Sequence, residues 1–146
     1  MKKYIFILVF IIFICTLILY PSSEKKLLKN FADDTINDNV SIEKIIEKYI
    51  VCDEKAILMT TIQLEFVRAE YKKHPSEICI YSYEEAKKEG KEIKGIVCDN
   101  YDKVYFIYFN DKLYLTLLLN KNSKIIAIST LNKGGARFFM KTDGGK

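Results

Sequence analysis

Residues 104–130 read VYFIYFNDKLYLTLLLNKNSKIIAIST, and this stretch decides the fold. Val104 to Phe109 is aromatic and β-branched, the composition of a strand. Asn110-Asp111 supplies a tight turn, Lys112 to Leu119 a second apolar run, Asn120–Ser123 a second turn, and Lys124 to Thr130 a third run. That spacing predicts an antiparallel meander of three strands. Asn132-Lys133-Gly134-Gly135 closes the meander. Phe138-Phe139-Met140 offers a further edge strand within a tail, Ala136 to Lys146, that is expected to fray.

Upstream the periodicity changes from two to 3.6. Ile42, Ile45, Ile46, Tyr49 and Ile50 fall on one helical stripe, with Ser41 as the N-cap. Glu43→Glu47 and Lys44→Lys48 are like-charge pairs on the opposite face, so this helix relies on burial rather than on surface ion pairs. Asp53 caps a second helix over Ala56 to Lys73, stopped by His74-Pro75, with Met59, Ile62, Phe66 and Ala69 as its apolar stripe. Leu58, Thr60, Ile62, Leu64 and Phe66 also alternate as in a strand; the helix is the favoured reading. Ile78 to Tyr83 and Gly95 to Cys98 are short strand candidates on either side of a charged, helix-permissive stretch, Glu84 to Glu92, interrupted by Gly90.

A helical apolar stripe and a meander with an apolar face solve each other's burial problem. The fold expected for residues 41–146 is therefore α+β, with one or two helices packed on a curved antiparallel sheet. Cystatin-like and NTF2-like folds share this architecture, but no motif here belongs to either. Residues 23–40 are rich in Asp and Asn, and Leu27, Leu28 and Phe31 are too few for a core, so this segment reads as a polar linker.

The N-terminus sets the compartment. Met1-Lys2-Lys3 precedes an uncharged run from Tyr4 to Tyr20, and Pro21-Ser22-Ser23 breaks it. Seventeen helical residues span about 25 Å, workable for a bilayer with some local thinning. No Ala-x-Ala cleavage pattern follows, and Ile14 stands before Cys15 where a lipoprotein signal needs a small residue. Residues 1–22 are therefore expected to be an uncleaved signal anchor, a membrane-spanning helix that holds residues 41–146 outside the cytoplasm. Lys25, Lys26 and Lys29 on the far flank pull against that orientation. The Lys-rich, Trp-free composition points to a bacterial chain. The expected location is the bacterial cytoplasmic membrane, with a single pass.

The chemistry is sparse. A net charge of +4, half of it from Lys2 and Lys3, is too balanced to argue for a nucleic-acid partner. The one histidine, His74, has no cysteine or carboxylate at a catalytic spacing, and there is no Cys-x-x-Cys, His-x-x-x-His, calcium-loop or phosphate-loop motif. No catalytic, cofactor-binding or metal-ligating residue is assigned. Outside the cytoplasm thiols oxidise. Among Cys52, Cys79 and Cys98 the favoured bridge is Cys79–Cys98, which would close a loop of about twenty residues and contribute roughly 3 kcal/mol. The alternative is three buried, reduced thiols.

Tyrosines cluster in the meander. Tyr105 and Phe109 point to one face of a regular strand, and Phe106 and Tyr108 to the other. One face is core, so the other presents aromatic rings, and Tyr105, Tyr108 and Phe109 are the candidate partner-binding residues. The expected role is a non-enzymatic binding or inhibitor module of immunity type. Its partners would be the membrane and another envelope or secreted protein. A structural subunit that packs through its membrane helix is the alternative, although no acidic residue or Gly-x-x-x-Gly lies in that segment. A thiol-dependent enzyme comes third.

Overall fold

The computed structural model describes residues 22–91 and 93–144. The segment expected to anchor the chain, residues 1–22, lies outside the described residues apart from Ser22. Among the described residues no helix is long and apolar enough to cross a membrane. The elements run α1 (Ser23–Ile36), α2 (Ile42–Tyr49), α3 (Glu54–Lys73), β1 (Ile78–Ser82), α4 (Tyr83–Lys88), β2 (Ile96–Val97), a 3-10 turn (Tyr101–Lys103), β3 (Val104–Phe109), β4 (Lys112–Leu119), β5 (Ile125–Lys133) and β6 (Ala136–Lys141).

The fold is α+β, with helices packed on a curled sheet. The strand order is β1-β3-β4-β5-β6-β2. Neighbours are antiparallel except β2 and β6, which run parallel. The expected meander forms β3, β4 and β5, and the tail adds β6 as a fourth strand. Register shifts at Ile107/Tyr108, Leu118/Leu119 and Ala127/Thr130 interrupt the ladders, as bulges that bend a sheet do.

Residues 23–40 are not a linker. Ser22 caps α1 by accepting from the Lys25 backbone N–H, and Leu28, Phe31, Ala32 and Thr35 are buried on one face. Ala32 and Thr35 complete a stripe that Leu28 and Phe31 alone do not make. Thr35 tolerates burial because its hydroxyl donates to the Phe31 carbonyl at 2.7 Å. α2 follows the expected stripe, with Ser41 as its N-cap. α3 starts at the Asp53 cap, whose carboxylate accepts from the Ala56 N–H at 2.8 Å. Its buried residues, however, are Thr60, Leu64 and Val67, while Met59, Ile62 and Phe66 face out. The helix is apolar on both sides, so periodicity alone picks no single face.

Two apolar clusters sandwich the sheet. On one face Leu28, Phe31, Ile45, Tyr49 and Leu64 from α1–α3 meet Tyr105, Ile107 and Phe109 of β3 and Leu115 and Leu117 of β4. On the other, Ala86 of α4 and Ile96 of β2 pack on Val104, Phe106, Tyr108, Leu118 and Ala127. α4 is locked at its start by a reciprocal capping box between Ser82 and Glu85. β3 is buried along its whole length because both of its faces are covered.

Candidate partner-binding surface

The aromatic residues expected to meet a partner lie in the core. Tyr105, Tyr108 and Phe109 are each no more than 5% exposed. The Tyr105 hydroxyl donates to Glu24 at 2.7 Å. Phe109 stacks on Tyr114 at 4.4 Å and meets Tyr71 edge-on at 5.2 Å. Tyr108 packs edge-on against Tyr81 at 5.6 Å. The expectation of one open aromatic face fails because α4, β2 and their connections cover the second face of the sheet.

Cys79 and Cys98 are not bonded to each other. Both, with Cys52, are free thiols. Cys79 lies on β1 and Cys98 follows β2, the two outermost strands in the sheet order. Cys52 donates to the Asp53 carbonyl at 3.6 Å and Cys98 to the Asn100 carbonyl at 3.3 Å, so neither is paired with a base. His74 is the exposed C-cap of α3. Among the described residues no group of three or more His, Cys, Asp or Glu is placed to hold a metal.

The exposed chemistry is apolar. Leu58, Ile62 and Phe66 follow one another at i, i+4 and i+8 on the side of α3 that faces away from Thr60, Leu64 and Val67. Leu58 is 67% exposed. The sheet carries a second exposed apolar row. Leu131 of β5 pairs with Phe138 of β6, which pairs with Val97 of β2, and all three are exposed. Met140, two residues on from Phe138, points to the same face. Met140 and Met59 line a groove of about 320 Å³ with Gln63, Ile128 and Thr142. Gln63 closes its inner edge by donating to the Ile128 carbonyl at 3.4 Å.

The groove therefore lies between Met59 of α3 and Met140 of β6, while the rows Leu58–Ile62–Phe66 and Leu131–Phe138–Val97 are exposed outside its lining. Lys55 and Lys141 line the groove, exposed and in none of the ion pairs among the described residues, together with Asp53, whose carboxylate caps α3. Sequence reading named Met59, Ile62 and Phe66, but as core. The signal that locates the groove is the second apolar stripe of α3, because a helix in a small domain has only one side to bury. Comparison of the chain with protein-family models, with curated proteins and with solved structures finds no match.

Proposed function

We propose that this chain is a small, membrane-tethered, non-enzymatic binding module of the bacterial envelope, of inhibitor or immunity type. It takes an acidic amphipathic segment of another envelope or secreted protein in the groove between α3 and β5–β6. One observation carries the reading: Met59 of α3 and Met140 of β6, both exposed, face each other across a groove of about 320 Å³ next to the open Leu58–Ile62–Phe66 face of the helix. Exposed apolar surface rimmed by charge is the signature of a recognition site, and an amphipathic segment lying in such a groove is a recurring mode of binding. The occupant's acidic flank follows from Lys55 and Lys141, two lysines against the single carboxylate of Asp53. Tethering is supported by the uncharged run from Tyr4 to Tyr20, which ends immediately before α1.

The test is site-specific photo-crosslinking of the full-length protein in its native membrane. A photoreactive residue replaces Met59 or Met140 in the groove, or Asn122 in the turn between β4 and β5 as the control. The expected result is one discrete adduct from both groove positions and none from the control. The adduct from Met140 should disappear with Met59→Asp, and its crosslinked peptide should be acidic and amphipathic. Groove adducts no different from those of the control overturn the proposal. An adduct containing only two copies of this chain also overturns it, because the groove is then a self-association surface.

A further inference from the structure

The opposite face of the sheet carries a polar cleft of about 650 Å³. Tyr108 and Leu113 line it, with Lys91 on one side and Asn132 and Arg137 on the other. Arg137 is half-buried, and its guanidinium is held by two hydroxyls. Nε donates to Thr130 Oγ1 at 3.3 Å and Nη2 to Thr116 Oγ1 at 3.5 Å. Thr116 is itself buried. Arg137 takes part in none of the ion pairs among the described residues. The chain's other arginine, Arg68, spends its donors on backbone carbonyls instead.

A guanidinium drawn partly out of water and oriented only by neutral hydroxyls keeps its full charge available. Lys91 adds a second cation. Its ammonium lies 5.3 Å from the ring centres of both Tyr81 and Tyr108. Among the described residues the cleft has two carboxylates, and both stand open to water. Glu89 is exposed, and Asp111, which meets Lys91 at 3.1 Å, has a side chain 97% exposed against 19% for Lys91. Water screens the acids more than the bases. Asn132 pairs across the hairpin with Arg137 and brings an amide to the same wall.

We propose that this cleft binds a small oxyanion, a carboxylate or a phosphate group, with Arg137 as the fork and Lys91 as the second charge. The fork matches the two oxygens of either group, and the Lys91 ammonium adds a mobile point charge. Tyr108 and Leu113 give the remainder of the ligand an apolar seat. The proposal stands on the face opposite the groove and does not depend on the partner reading.

The experiment is thermal unfolding of the full-length protein in neutral detergent, titrated at constant ionic strength with inorganic phosphate, succinate or chloride. The expected result is a saturable rise in Tm with phosphate or succinate and none with chloride. A response to phosphate alone assigns a phosphoryl ligand, and one to succinate alone a carboxylate. Arg137→Gln should weaken the apparent affinity at least tenfold and Lys91→Gln several-fold, while Lys121→Gln, on the β4–β5 turn, leaves it unchanged. Should Arg137→Gln not fold, Arg137→Lys keeps the charge and loses the fork, with the same loss of affinity expected. A Tm response indistinguishable from that to chloride overturns the proposal, as does an apparent affinity in the Arg137 variants equal to that of the wild type.

Discussion

The Tyr105 hydroxyl donates to a carboxylate oxygen of Glu24 at 2.7 Å across 81 positions of sequence. The same carboxylate pairs with Lys103 and accepts from the Ser123 hydroxyl at 3.0 Å. One acidic residue in the first turn of α1 thus gathers the start of β3 and the turn between β4 and β5. Beside it Lys25 pairs with Glu85 of α4. The first turn of α1 is thus tied to the sheet and to α4 by charge, in addition to the apolar stripe that buries the helix. Burial first, then the neighbouring Glu24 charge, push the Tyr105 hydroxyl well above the ordinary tyrosine range, so it stays a donor at every physiological pH.

Burial raises the Glu24 pKa, but the donors Lys103, Tyr105 and Ser123 outweigh it and hold the carboxyl below the usual glutamate value. A depressed folded pKa means stability that is present above the unfolded value and is lost as pH falls through the folded one. Glu24→Gln keeps the shape and removes the charge, and should cost about 2 kcal/mol at pH 7. The gap between wild type and variant should close below about pH 4. Urea midpoints measured from pH 7 to pH 3 check this; a gap that stays constant with pH would leave the carboxylate charge without a role. Glu85 shifts downward in the same way, with burial opposed by Lys25 and Ser82, so the wild type itself also weakens in that range.

Phe31 tests whether α1 belongs to the core. Its side chain is fully buried and meets Tyr49 edge-on at 5.5 Å. Phe31→Ala should lower the unfolding free energy by about 3–5 kcal/mol. A segment that only links the membrane to a domain would leave the denaturation midpoint where it was.

The elements that sequence reveals well are those with one apolar side or a turn of defined chemistry. α2 has a single stripe and a serine cap, and β3–β5 are punctuated by Asn-rich turns, so both are legible residue by residue. α1 hides because two of its buried positions, Ala32 and Thr35, do not read as hydrophobic anchors. α3 misleads in the opposite sense. Its stronger stripe, Met59, Ile62 and Phe66, is the exposed one, and a threonine and two aliphatic residues hold the core. The meander's aromatics are equally ambiguous. An alternating strand predicts one buried and one open face, whereas β3 is apolar on both because helices cover one side and α4 with β2 the other. The Arg137 cleft is invisible in sequence, since its parts come from positions 91, 108 and 137 and meet only through the sheet.

Arg68 holds α1 to α3 without touching a carboxylate. Nε donates to the Thr35 carbonyl at 2.7 Å, and Nη2 to the Val40 carbonyl at 2.8 Å and the Asp34 carbonyl at 3.4 Å. These are acceptors at the end of α1 and in the connection to α2, where backbone carbonyls lack helical partners. Arg68→Met should cost about 1–3 kcal/mol. Arg68→Lys should recover less than half of that, because a point charge cannot span three carbonyls as a planar fork does. Amide exchange over residues 37–40 reads the effect locally: protection there should fall in both variants before global stability does.

The two stripes of α3 make opposite predictions and can be separated in one series. Leu64 is fully buried against the sheet, so Leu64→Ala should cost about 2–5 kcal/mol. Leu58→Lys and Ile62→Lys sit in the open and should stay within about 0.5 kcal/mol of wild type. Both lysine variants should nevertheless weaken the groove adduct, because they break the apolar helix face next to Met59 and repel nothing within the domain. Denaturation midpoints and crosslinking yields measured on the same three proteins divide the outcomes. If Ile62→Lys unfolds the chain while Leu64→Ala does not, α3 is turned by half a revolution from the arrangement described, and the exposed groove vanishes with it.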